Sequence, residues 1–396
     1  MRRLTLLTFV LAAPLAAPLA APLAAQNPPD SRQTVAAPVT ARRPTTPADA
    51  RRILSALADD SMQGRATGTA GAHRAAQYVA NEMKRLGLTP LGDSGYFQKV
   101  PVSMETSRSF PTTRAPDPND PARTIVHIDS TAAPRIRVSP RLRPSFAALD
   151  TIPKDRRRTE VNVLGVIRGS DPVLKDEVIL VDAHYDHLGI ISPANVGGDS
   201  IANGADDDAS GVTAVLEIAR QIKEGPPPKR TIIFAAMVGE EVGLIGTNWY
   251  IQHPAVPLEN VVANLEIEMI DRPDSLVGGP GKAWLTGFER STMGEIFQAH
   301  GLMVFPDARP SQSFFTRSDN IGFARRGIVA HTLSTFNLHT DYHRVSDEVG
   351  KADFAHMAGV INTGAQAVRL LADGPKPEWK PGGQPQQPAG RGRGGR

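Results

Sequence analysis

The 396-residue chain contains no cysteine, which excludes a disulfide framework and a lipid-modified cysteine. Its stability must come from the core, with bound metal as the other available source. It also lacks a marked excess of charge of either sign. Lys and Arg number 44 against 41 Asp and Glu, for a formal net charge of +3. Part of that excess lies at Arg2, Arg3, Arg391, Arg393 and Arg396, so composition argues against a nucleic-acid partner. An unbroken apolar run long enough to span a bilayer is missing too, because Pro14, Pro18 and Pro22 cut the N-terminal apolar stretch into short pieces. With Arg2-Arg3 ahead of it and Leu23-Ala24-Ala25-Gln26 behind, that stretch reads as a secretory signal peptide over 1–25, cleaved after Ala25. The expectation is export to the periplasm or the medium without a stable membrane anchor.

Residues 26–48 are rich in Pro, Thr, Ala and Gln and read as a disordered linker or pro-segment, with the folded domain over 49–373. Apolar positions at helical spacing predict two helices between Ala50 and Leu86, separated by a Gly-rich break over 64–71. An irregular, Pro-rich insertion at about 104–158 follows, expected to be loops and short strands that shape one wall of a cleft. Beyond it, strands near 161–167, 177–183, 231–237, 261–269 and 326–334 alternate with helices near 209–223, 243–251, 290–300 and 351–372. Such alternation predicts an α/β fold, a mixed and mainly parallel sheet with helices on both faces. The Gly/Pro/Arg-rich tail over 374–396 reads as disordered.

Polar residues that end the apolar runs carry the chemistry. His184-Tyr185-Asp186-His187 follows one predicted strand, and alternation puts His184 and Asp186 on one side, with His187 facing away in a structural role. Asp206-Asp207-Asp208 opens a predicted helix. Three adjacent carboxylates are costly as caps alone, so one of them can bridge two metals while its neighbours cap the helix. Glu240-Glu241 ends another strand, and two adjacent carboxylates in an apolar site call for a cation. One Glu then coordinates while the other serves as the base that deprotonates water. In open α/β sheets the C-terminal ends of the strands are where active sites sit.

Taken in order, His184-Tyr185-Asp186-His187, the Gly204–Val212 stretch, Gly239-Glu240-Glu241, Asn264–Ile270 and His339–Asp347 resemble the co-catalytic di-zinc aminopeptidases. That family includes secreted bacterial leucyl aminopeptidases and relatives of glutamate carboxypeptidase and glutaminyl cyclase. The resemblance implies a three-layer sandwich holding two Zn2+ ions. In it His184 and Glu268 bind one zinc, Asp206 bridges both, and Glu241 and His343 hold the other. Glu240 becomes the general acid/base and Asp186 orients His184. Glu268 stands where many members have Asp, and Glu266, two residues earlier, is its rival. Asp271 stands where the family often has Gly, and Asn320 replaces the His of a Ser-Asp-His motif. Tyr342 and Phe315 are candidates for a substrate side-chain pocket, with Phe314 beside them, while His331 and His339 are structural or cleft-lining.

The function so implied is a secreted, monomeric zinc aminopeptidase that removes N-terminal residues from peptides or proteins with a two-metal-activated water. The alternatives are a carboxypeptidase, a glutaminyl-cyclase-like acyl transferase, or a non-catalytic binding module of the same fold.

Overall fold

The computed structural model describes residues 43–117, 120–191 and 198–386. The expected signal peptide and most of the expected linker lie outside them. The described chain is ordered ahead of Asp49. Thr45 is buried, its hydroxyl donating to Glu217 at 2.9 Å and its N–H to Asn362 at 2.8 Å. Helix α1 (Pro47–Leu57) starts on a capping box in which Thr46 and Asp49 satisfy each other's backbone N–H groups. The Gly-rich break then forms a short turn before α2 (Ala70–Arg85), which buries Ala72, Ala76, Val79 and Met83 along one face.

In chain order there follow β1 (Thr89–Pro90), β2 (Phe97–Ser109), the hairpin β3 (Thr112–Asp117) and β4 (Asp120–Ile128), β5 (Arg135–Leu142), β6 (Arg157–Ile167) and β7 (Val178–His184). A two-stranded ribbon, β8 (Gly189–Ile190) with β9 (Ile201–Ala202), precedes α3 (Gly211–Glu224) and β10 (Thr231–Met237). The remainder is α4 (Ile245–Gln252), β11 (Val261–Ile267), β12 (Ala283–Leu285), α5 (Met293–Ala299), β13 (Val304–Pro306), α6 (Asn320–Ala324), β14 (Val329–Ser334) and α7 (Phe354–Asp373).

The main sheet runs in the order β13-β12-β14-β11-β7-β10-β6-β2-β5, with β1 paired to β6. Its centre, β14-β11-β7-β10, is parallel, and β6, β2 and β5 join antiparallel. Much of the Pro-rich insertion is therefore sheet: β2 pairs with both β5 and β6, and Pro140 is tolerated because β5 is an edge strand.

The central strands are buried on both faces, which is why they read as continuous apolar runs. Ile179, Val181, Ala183, Ile232 and Phe234 pack with α1, α2, α3 and α7, whereas Leu180, Ile233, Ala235 and Met237 pack with residues of α4 and α6. His184 keeps the parity of Leu180 and so leaves β7 on the α4/α6 side. Part of the tail is also docked: Trp379 bridges to Ser291, its indole N–H donates to the Gly327 carbonyl at 2.9 Å, and Lys380 pairs with Glu295. The tail's composition hides this aromatic anchor, so the expectation of disorder fails over 374–386.

His331 on β14 is structural. Its Nδ1 donates to the Thr286 carbonyl at 2.6 Å, so its Nε2 accepts from the Ser291 hydroxyl at 2.7 Å. Burial pushes its pKa down to about 4. The unfolded chain takes up this proton near pH 6.5, so the contribution is complete above that pH and is lost as pH falls towards 4, on the order of 3 kcal/mol at most. Urea unfolding of His331→Gln at pH 7 and pH 4.5 should show a smaller acid loss than the parent. Equal losses in the two proteins would refute this assignment.

Candidate metal centre

Four carboxylates and three histidines converge beyond the C-terminal ends of β7, β10 and β11. His184, the last residue of β7, is fully buried, with Nδ1 3.1 Å from the Asp186 carbonyl. That contact assigns the proton to Nδ1 and turns the Nε2 lone pair to Asp207 Oδ1 at 3.3 Å and Glu268 Oε1 at 3.8 Å. The main chain of Asp186 thus orients His184, while its carboxylate is 3.8 Å from Nδ1 and serves elsewhere. It accepts from Thr67 Oγ1 at 2.8 Å and from the N–H groups of Gly239 at 2.7 Å and Glu240 at 3.1 Å, fixing the turn that carries both glutamates.

The expected bridge needs correcting from Asp206 to Asp207. Asp207 presents Oδ1 to His184 and Oδ2 to His343 Nε2 at 3.1 Å, so its two oxygens divide between two donor sets. Asp206 turns away, accepting from Asp271 N and His339 Nε2, each at 2.9 Å. Asp208 takes the capping role, accepting from Gly211 N at 3.0 Å and Met269 N at 3.1 Å. The chain over 205–210 is a wide π-type turn broken at Asp207 and Asp208, so three successive side chains leave in three directions. Asp347 holds this turn through the backbone N–H groups of Asp206 and Asp207.

Glu241 places Oε2 3.3 Å from His343 Nε2. Its Oε1 lies 2.8 Å from His187 Nδ1, which corrects the expectation that His187 faces away. Strand conformation ends at His184, so alternation no longer governs residue 187. Glu268 belongs to the His184 set, and its rival Glu266 does not. Glu266 accepts from Ser318 Oγ, from the N–H groups of Asp319 and Asn320 at 3.0 and 2.9 Å, and from Thr332 Oγ1 at 2.8 Å, anchoring the start of α6. Asp271 is buried with neither carboxylate oxygen hydrogen-bonded; burial and the neighbouring Asp206 and Asp347 push its pKa well above the usual range.

Arg65, which sequence reasoning missed, stitches the loops together. Its buried guanidinium donates to the carbonyls of Leu57, Tyr185, Asn203 and Gly204 at 2.5–2.9 Å. Burial lowers its pKa, opposed by Asp207 and Asp208, so one fixed cation faces the acidic turn. A charged residue inside a Gly-rich break was the available signal.

The donor chemistry suits divalent cations. His184 Nε2, both ring nitrogens of His187 and Glu241 Oε1 are buried without a hydrogen-bond partner, and uncompensated buried polar atoms are costly. Burial opposes charge on His184 and His343, but the adjoining carboxylates prevail: they raise His184 well above its ordinary value and His343 to about 10. The same excess of negative charge is what bound divalent cations would offset. Burial also raises Glu240 well above the carboxylate range, with Glu268, Asp319 and Glu241 adding to it and His184 opposing.

Beside the donors lies a narrow pocket whose lining includes Glu268, Trp284, Phe314, Arg317, Phe336 and Tyr342. Tyr342 stacks on His343 with ring centroids 3.9 Å apart. Phe315, the other expected pocket residue, is packed instead under Arg290 and against His331 and Trp379, so Phe314 is the aromatic that faces the cleft.

Histidines and carboxylates at the C-terminal edge of a parallel sheet, with one carboxylate shared between two sets, form the layout of a metallohydrolase. The chain belongs to peptidase family M28, which matches residues 162–368, and with it to the zinc metallopeptidases. A vacuolar membrane protease of Lachancea thermotolerans is 24% identical over 218 residues, covering 53% of this chain and 20% of that protein. A probable zinc metalloprotease of Pyrenophora teres f. teres is 39% identical over 109 residues, 27% of this chain and 22% of that one. The chain thus spans about a fifth of the length of these curated relatives. The fold is shared with a zinc aminopeptidase from Bacillus subtilis (TM-score 0.56, 15% identity, 83% of this chain and 96% of that one). It is shared as well with a glutaminyl cyclase from Porphyromonas gingivalis (TM-score 0.51, 12% identity, 82% and 97%).

Proposed function

We propose that the chain is an exported, monomeric aminopeptidase that holds two zinc ions and cleaves hydrophobic residues from peptide N-termini. The observation that carries this reading is that Glu268 belongs both to the donor cluster and to the lining of the aromatic pocket. A peptide whose first side chain enters the pocket brings its α-ammonium group up to that carboxylate.

His184, Asp207 and Glu268 would hold one ion, and Asp207, Glu241 and His343 the other. When bound, such ions polarise the scissile carbonyl and acidify water. Glu240 takes the proton of the attacking water as the new carbon–oxygen bond forms, then delivers it to the amine as the carbon–nitrogen bond breaks. Asp186 holds the Glu240 backbone in place for both transfers. Trp284, Phe314 and Phe336 exclude water around an apolar side chain.

Arg317, over the Phe314 ring at 5.1 Å, favours one second reading, recognition of a substrate carboxylate. The test is hydrolysis of a peptide panel by the purified chain, with Leu, Phe or Glu first, N-termini free or acetylated, and C-termini free or amidated. Zinc-dependent release of Leu and Phe only from free N-termini is the expected result. Cleavage of acetylated peptides that depends on a free C-terminus would replace it with a carboxypeptidase.

A further inference from the structure

We infer that His187 is a fourth protein donor to the ion on the Glu241–His343 side, making the two metal sites chemically unequal. The inference rests on the zinc-metallopeptidase reading and goes beyond the ligand set expected from the motifs. The His187 ring is buried within this cluster, and no hydrogen bond satisfies either of its nitrogens. Its position is enforced from behind: a Cβ on Gly204 would stand 2.5 Å from the ring, so the turn preceding the aspartates closes directly on it. Gly204 adopts φ +55, a conformation glycine takes at little cost.

The spacing matches coordination. Donors around a tetrahedral zinc at 2.0–2.1 Å lie about 3.3 Å from one another. Here His187 Nδ1 is 2.8 Å from Glu241 Oε1 and 3.8 Å from Asp207 Oδ2. His343 Nε2 is 3.1 Å from Asp207 Oδ2 and 3.3 Å from Glu241 Oε2. His187, Asp207 and Glu241 thus form one donor group, and His343 joins it through the same Asp207 oxygen and the other oxygen of Glu241. The His184 side offers only His184, Asp207 and Glu268 among the described residues. Closed four-ligand sites retain their metal, and three-ligand sites keep a position open for water or substrate. The Glu241 side is accordingly the retained ion and the His184 side the exchangeable one.

A simple hydrogen bond from His187 to Glu241 is the competing role, and cadmium separates the two. The full chain, stripped of metal, labelled with 15N-histidine and loaded with two equivalents of 113Cd, should show one cadmium coupled to two imidazoles, those of His187 and His343. The other cadmium should couple to His184 alone. In parallel, zinc titration of His187→Gln should weaken one site at least tenfold, roughly the lower bound for disturbing a metal's support, and leave the other unchanged as the folding control. Two bound cadmium ions with no coupling to His187 would overturn the inference while leaving the metallopeptidase reading intact. Failure of the parent chain to bind zinc or cadmium would overturn both. The coupling measurement needs no variant, so it decides the question even if His187→Gln does not fold.

Discussion

Asp207→Asn is expected to abolish peptidase activity and to weaken zinc at both sites by at least about 100-fold, whereas Asp206→Asn should change zinc affinity less than tenfold. The contrast follows from where the carboxylates point. Asp207 gives one oxygen to the His184 side and the other to the His343 side, so an amide in its place removes a negative charge from both sets at once. An amide also turns one oxygen into an N–H donor facing an imidazole nitrogen, which compounds the loss. Asp206 touches neither set; its partners are Asp271 N, His339 Nε2 and, at 3.4 Å, the Ser210 hydroxyl, and an Asn can keep part of these contacts. Zinc titration of the two variants beside the parent decides between them. If Asp206→Asn loses both ions and Asp207→Asn keeps them, Asp206 is the shared carboxylate and Asp207 is not.

The same triplet shows where sequence reasoning stops. Three adjacent aspartates at a strand-to-helix junction announce a cation, a cap or both, but choosing among them requires the rotational phase of the turn. Residues 205–210 form a wide turn with non-helical angles at Asp207 and Asp208, so neither a helical nor a strand period sets that phase. His187 escaped for a related reason, because the alternation that places His184 on the face of Leu180 ends where β7 ends. The strands themselves were readable: β7, β10 and β11 are buried along their whole length and show as apolar runs bounded by polar residues. Glu266 and Glu268 share a parity and could be separated only by knowing that the Ser318–Asn320 turn docks on Glu266. Phe314 and Phe315 sit in one short turn, where neighbouring residues diverge towards the cleft and the core. Trp379 was masked by a composition typical of unstructured tails, although one partly buried aromatic contact suffices to dock a short segment.

Glu240→Gln should lower kcat by roughly 10²–10⁴-fold, the usual span for losing a general acid/base, with zinc stoichiometry and KM little changed. Glu240 is the carboxylate of the cluster that has no place in either donor set, and its backbone is tied to Asp186. Its pKa is pushed up by burial and by the carboxylates around it, a setting that keeps the group ready to take a proton and to give it back. Glutamine matches its shape and removes the proton acceptor, so substrate should still bind and chemistry should fail. Glu241→Gln is the necessary companion, because it alters a donor within 3.3 Å of His343 and should lower zinc affinity instead. Steady-state kinetics on a free-amine dipeptide together with metal analysis of both variants distinguishes the two adjacent glutamates. A Glu240→Gln protein that keeps both zinc ions and turns over at the parental rate would remove Glu240 from the mechanism. The proton transfer would then have to be assigned to another group in the cleft.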